Sequence, residues 1–307
     1  MENILQRWRR ELRGTFSANS PTIPQWELDL AKGDDGGYFG PGSAAWAVHG
    51  SMTPVVAGIQ ALLIQAVHPG AMAGVHDHSD YKEDPLARLA GTIRWIFTVT
   101  FGDTTAAQKA SKKVLAIHTF VKGSYTANDG TKIPYTANDP ELLRWVHLAF
   151  TEAFLASHLA MGGPIPGGPD AYVADWAVAG HLMGVVDPPL TEPALRDQLA
   201  AFAPALRYDQ RVADTVAFLR NPPLPRSQQG GYRVLFAAAV STLAPEYRAM
   251  LNLEGPQLGP VPLPVRAGAR AVLGVVHLGL GKMGPSETSA RQRRRRLGLD
   301  DETSEPQ

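Results

Sequence analysis

From residue 85 onward the apolar residues recur every three or four positions instead of alternating, and that period predicts helices. Asp84 and Pro85 supply an N-cap and a proline at the first helical position. Leu86, Leu89, Ile93, Ile96 and Phe97 then form one stripe, and the helix is expected to end near Phe101, Gly102 and Asp103. Asp103 caps a second helix with apolar positions at Val114, Leu115, Ile117 and Val121, expected to close on Lys122 and Gly123 as a basic last turn and glycine stop. Asn138, Asp139 and Pro140 open a third, through ELLRWVHLAFTEAFLASHLA. Between the second and third helices YTAND occurs at 125 and again at 135, separated by GTKIP, with Asp129-Gly130 at the centre; this predicts a small hairpin with a tight turn, a flap and not a repeat array.

Elsewhere the pattern is looser. Residues 17–43 are rich in Gly, Pro and Ser and read as an irregular lead-in. Residues 53–75 are largely apolar, but Gln60, Gln65, His68 and Pro69 interrupt them, whereas a spanning helix needs about 20 predominantly apolar residues, so a core helix is expected. From about 170 to 280 shorter helices are punctuated by DPPL, NPPLPR and GPQLGPVPLP. Strand–helix alternation is absent, which predicts an all-α fold in a single globular helical domain: a lead-in over 1–43, a helical domain over 44–282 and a charged tail over 283–307. That tail carries five arginines in six residues followed by four acids, and is expected to be a solvated helix with a frayed terminus.

Composition narrows the function. Lys+Arg and Asp+Glu are both 29 in 307 residues, so no global field draws the chain to nucleic acid, and no nucleic-acid partner is expected. The chain has no cysteine, which removes disulfides, Cys-rich zinc sites, iron–sulfur clusters, thiolate-ligated haem and a cysteine nucleophile. The amino-terminal MENILQRWRRELRG lacks the apolar centre of a secretory signal, and a cytoplasmic protein without a transmembrane segment is expected, with membrane-surface contact left open.

Histidines supply the candidate chemistry. His76 and His78, in GVHDHSDY, resemble a metal pair, with Asp80 or Glu83 as a further ligand. At i and i+2 they share a face only on a strand, and the segment is expected to be a loop, where no spacing rule applies. On the first long helix Arg88, Thr92, Trp95 and Val99 fall on a second stripe at i, i+4, i+7 and i+11, which fits a covered side with a partner for Arg88 and equally an arginine in solvent. His118 sits among Val114, Leu115 and Val121; it fits a hydrogen-bonded core residue and equally a haem ligand on a rigid apolar helix. His147, flanked by Leu143, Phe150 and Phe154, has the same two readings, while His49 and His68 close their segments as helix-end caps.

Taken in order, WAVHG, ALLIQAVHPGAMAGVHDHSDYKEDPLARLAGT, FG, IHTFVKG and YTANDPELLRWVH resemble the domain shared by bacterial latex clearing proteins and the MpaB oxygenase of fungal mycophenolic acid biosynthesis, through residues 40–160 and more weakly to about 280. The resemblance implies an all-helical fold like the globin-like haem core of latex clearing proteins, holding haem b. It implies His118, in H-x-x-V-x-G, as the proximal iron ligand, and Arg88 and Thr92 as the distal pair that controls polarity around O2. His78, in HSD, belongs in this pattern to the connection leading into the distal helix. Gly91 stands where latex clearing proteins carry lysine, which makes polyisoprene an unlikely substrate and directs attention to a smaller apolar molecule, isoprenoid or secondary metabolite. Two other readings stay open: a non-haem metalloenzyme at His76 and His78, and a non-catalytic helical haem-binding protein.

Overall fold

The computed structural model describes residues 23–300 except 79–84, 256, 259–260 and 281–282; at 85–90, 258, 261–262 and 279–280 it describes the backbone only. The described residues form α1 (Gln25–Asp29), α2 (Ala44–Gly50), α3 (Pro54–Ala66), α4 (Pro69–His78), α5 (Pro85–Phe101) and α6 (Thr104–His118). The antiparallel hairpin β1 (Lys122–Thr126) and β2 (Lys132–Thr136) leads into α7 (Pro140–Met161), α8 (Gly168–Leu182), α9 (Glu192–Ala201), α10 (Gln210–Arg220), α11 (Arg226–Thr242) and α12 (Pro245–Met250). A two-residue hairpin, β3 (Gln257–Leu258) with β4 (Val261–Pro262), precedes α13 (Val265–Leu280) and α14 (Pro285–Arg296). The fold is all-α in one domain.

The core is built on α7 and α3, which pack along each other. α3 is apolar almost all round, and such a helix is stable only when covered on every side; Val56, Ala57, Ala61, Leu63 and Ile64 are fully buried, as are Trp145, Leu148, Ala149 and Ala153 facing them from α7. The one glutamine inside is satisfied: Gln60 Oε1 accepts from Ser157 Oγ at 2.9 Å and Thr242 Oγ1 at 2.7 Å, and its Nε2 donates to the Thr242 carbonyl at 3.2 Å. The apolar 53–75 segment is therefore a core element. α2 and α3 meet at 96°, and no single helix among the described residues is long and apolar enough to cross a membrane.

Three expectations change. The segment holding His76 and His78 is the last turn of α4, not a loop, because Pro69 starts a helix whose first free amides, Gly70 and Ala71, donate to His68 Nδ1 at 3.2 and 3.3 Å. α6 stops at His118, before Lys122 and Gly123, which are instead in β1. The hairpin wins there: the Val121 carbonyl accepts from Ala137 N at 2.8 Å, and Gly123 lies opposite Tyr135, where a Cβ would be 3.2 Å from its ring. The Asp129-Gly130 turn forms as read, with Gly130 at φ 86°.

The third change is in the tail. Pro285–Arg296 is a helix as expected, but it is docked on α1 and α5, and Arg293 is entirely buried. Residues 301–307 lie outside the described part.

Candidate active site

α5 and α6 form an antiparallel pair joined by a tight corner at Gly102 and Asp103. Asp103 Oδ1 accepts from Ala106 N at 2.8 Å, the N-cap read from the sequence. Midway along the pair Trp95 Nε1 donates to Ser111 Oγ at 3.0 Å, so the second stripe of α5 is covered by α6, and Val99 on that stripe is fully buried. Thr92 lies on the same stripe, half-buried, one turn before Trp95. Arg88 is placed on α5, but its side chain lies outside the described residues, as do Asp80, Glu83 and the expected cap Asp84.

His118 ends α6, half-buried, with Val114 and Leu115 half-buried on the preceding turn. Its neighbours are unusual: Ile117 is 53% exposed and Phe120 is 80% exposed. Both are adjacent to the imidazole in the chain and are apolar side chains that a flat apolar group could cover, and Lys113 and Lys122 are exposed nearby in the sequence. On these observations His118 and its surroundings fit a haem. Described cavities of about 210 and 130 Å³ lie elsewhere; the larger is between Ser51, Thr53, Met161, Arg270 and His277. α4 meets the hairpin that follows α6 at Gly74, where a Cβ would lie 3.5 Å from the Tyr135 ring and 3.6 Å from Val121.

His76 and His78 do not form a pair. The helix turns them about 200° apart; His76 Nδ1 lies 2.9 Å from Asp77 Oδ1, and His78 Nε2 donates to the Lys122 carbonyl at 2.8 Å, four residues past His118. Among the described residues no three His, Asp or Glu side chains gather as a metal site. His78 thus ties the end of α4 to the strand that follows His118.

His49, His68 and His147 serve the core. His49 is no helix-end cap: it is buried, with Nδ1 2.7 Å from Thr100 Oγ1 and Nε2 3.0 Å from Tyr172 Oη. Thr100 spends its hydroxyl hydrogen on the Ile96 carbonyl at 2.8 Å, so His49 Nδ1–H donates to Thr100 and Tyr172 O–H donates to Nε2. Burial holds His49 down to about 3. His68 does cap a helix, but at the start of the next one, and burial lowers it to about 4. His147 is a buried core residue, lowered to about 4 by burial, its ring against Gly180, where a Cβ would be 3.0 Å away.

His158, unremarked in the sequence, donates from Nε2 to the Gly163 carbonyl at 3.1 Å and closes the end of α7. The sequence also missed the outward Ile117 and Phe120. The signal available was that they fall off the buried stripe of their own helix end.

Among curated proteins and solved structures no match was found. A family model described as the ER-bound oxygenase mpaB/B'/rubber oxygenase catalytic domain matches residues 46–275, which takes in α3 to α12, including both sides of the α5–α6 pair, and most of α13. The match spans well over half of the chain, and the chain belongs to this family of oxygenase catalytic domains.

Proposed function

We propose that the protein is a haem b-dependent oxygenase that acts with O2 on a small apolar substrate. The observation that carries this reading is the end of α6, where half-buried His118 stands between exposed apolar Ile117 and Phe120 in the chain and His78 of α4 donates to the Lys122 carbonyl four residues further on. Family membership adds the oxygenase class.

In this reading His118 would hold the haem iron, carried by a helix whose N-terminus is capped by Asp103. Ile117, Phe120, Val114 and Leu115 would exclude water from the bound group, and Lys113 and Lys122 would hold its carboxylates. Arg88 and Thr92, from the paired helix, would tune polarity and hydrogen bonding for O2, as the family resemblance implies. Bound haem supplies the electron chemistry with O2; the protein supplies access, orientation and electrostatics.

Gly91 in place of the latex clearing lysine supports an isoprenoid or secondary metabolite smaller than polyisoprene. A cytoplasmic location belongs to the same proposal. So does contact with a membrane surface as a source of apolar substrate, supported by α13, which exposes Val275 together with Arg266 and Arg270 and carries no acid.

The test is the visible spectrum of wild type and His118→Ala expressed with ample haem. The expected result is a Soret band in the wild type that is lost or shifted in the variant, followed by O2-dependent consumption of an apolar substrate. A colourless wild type sinks the haem reading.

A further inference from the structure

Arg293 is an arginine with no exposed surface, in a run the sequence reads as solvated. It has no hydrogen-bonded carboxylate; its guanidinium is spent on backbone carbonyls from three parts of the chain. Nη1 donates to Leu30 at 2.6 Å, Nε to Asp35 at 3.0 Å, and Nη2 to Phe101 at 2.9 Å and Gly36 at 3.5 Å. A planar fork with five donors can satisfy such a set, and a lysine cannot.

Phe101 is the last residue of α5, so its carbonyl is one of those a helix end leaves without a partner. On the other side of the corner Asp35 Oδ1 accepts from Thr104 N at 3.0 Å, and Asp35 Oδ2 accepts from the Thr104 hydroxyl. The corner thus has a cation at the C-terminus of α5 and a carboxylate at the N-terminus of α6, each the sign its helix end favours. It is also seated closely: a Cβ on Gly37 would lie 2.3 Å from the Gly102 carbonyl, and one on Gly33 would lie 2.4 Å from Asp103. Asp35 is held by Gly37 N at 2.7 Å, which locks the loop that presents it.

We infer that Arg293 and Asp35 are positioning residues for the site proposed above, on which this inference rests: they fix the angle of the α5–α6 corner, and that angle sets where His118 stands relative to Thr92. The two groups sit at the closed end of the pair and the site at the open end. Beyond the Trp95–Ser111 bond α6 runs on to His118 for about 10 Å, so a tilt of about 5° about that point moves its far end by about 1 Å. A ligand constellation tolerates only about 0.5 Å. The Trp95–Ser111 bond lies midway, so a released corner lets the helices scissor about that point and the error reappears at His118.

The experiment uses full-length Arg293→Lys and Asp35→Asn, with Arg295→Gln, exposed on the same helix, as control. Each is read by the spin state and EPR spectrum of the haem-loaded protein, and by hydrogen exchange of the haem-free protein. The expected result is near wild-type haem content, an altered spin-state ratio with broadened EPR lines, and exchange over residues 112–118 faster by about tenfold while 142–158 is unchanged. The control matches wild type. Unchanged spectra and exchange in Arg293→Lys overturn the inference, and so does faster exchange spread equally over all helices, which marks general destabilisation. A wild type that takes up no haem overturns the haem reading instead, and the exchange pattern still decides whether Arg293 sets α6.

Discussion

Trp95 Nε1 donates to Ser111 Oγ at 3.0 Å, and Ser111 in turn donates to the Ala107 carbonyl at 3.0 Å, so one indole is fastened to the backbone of the facing helix through one hydroxyl. Ser111→Ala leaves the indole N–H without its acceptor inside the α5–α6 contact, at a cost of about 1–3 kcal/mol. Trp95→Phe combined with Ser111→Ala removes both partners and recovers part of that loss. Urea unfolding of the two variants and the pair measures it; equal losses in both backgrounds contradict a coupled bond.

His49, between Thr100 and Tyr172, is fixed as the Nδ1–H tautomer. Nitrogen NMR of the imidazole is expected to show a pyrrole-like Nδ1, a pyridine-like Nε2 and no titration above about pH 4, since burial holds the group to about 3. Tyr172→Phe leaves Nε2 unsatisfied and destabilises by about 1–3 kcal/mol.

Stability falls on acidification. His49, His68 and His147 are held neutral in the fold, to about 3, 4 and 4, against 6.5 when unfolded. Below 6.5 the unfolded chain takes up protons that the fold refuses, so the stability present above 6.5 is lost as pH falls towards 4, with a slope of roughly 1.4 kcal/mol per pH unit for each histidine. Glu152, raised to about 7 by burial, works the other way: between 7 and 4.5 the fold keeps a proton the unfolded chain has lost, so acidification favours the fold there. Three groups against one leave a net loss. The urea midpoint at pH 5 is expected below that at pH 7.5; an equal or higher midpoint contradicts the neutral histidines.

Under the haem reading, Phe120 is 80% exposed because its cover is the cofactor. Phe120→Ser is expected to change the stability of the haem-free protein by no more than about 0.5 kcal/mol, as surface substitutions do, and to speed haem loss to an acceptor protein by about tenfold. Unchanged haem loss removes Phe120 from the site.

Thr92→Val and Arg88→Leu are expected to keep the haem content while lowering O2-dependent turnover about tenfold or more, about 1.4 kcal/mol of barrier or above. Loss of haem in both variants assigns them to holding the cofactor instead.

The sequence makes the α5, α6 and α7 starts legible because a proline or an N-cap aspartate marks each one within a clean 3.6-residue stripe. It misplaces the end of α6 because local signals, Lys122 and Gly123, compete with pairing to Thr136 and Tyr135, which lie over ten residues away. It takes α4 for a loop since HDHSD carries no apolar stripe; the helix is started by Pro69 and held by His68. His118 and Thr92 are singled out by family motifs and helical spacing, whereas burial of Arg293 depends on carbonyls 192 and more positions away, which no local pattern encodes.

Order of synthesis gives the Arg293 contacts a further meaning. Leu30 and Phe101 leave the ribosome long before Arg293, 263 and 192 positions later. At about 5–20 residues per second, α5 and α6 exist for roughly ten seconds or more with their corner carbonyl unclaimed. The contacts that close this corner therefore form late in synthesis, and a haem bound as proposed before α14 emerges would meet a looser helix pair than one bound afterwards.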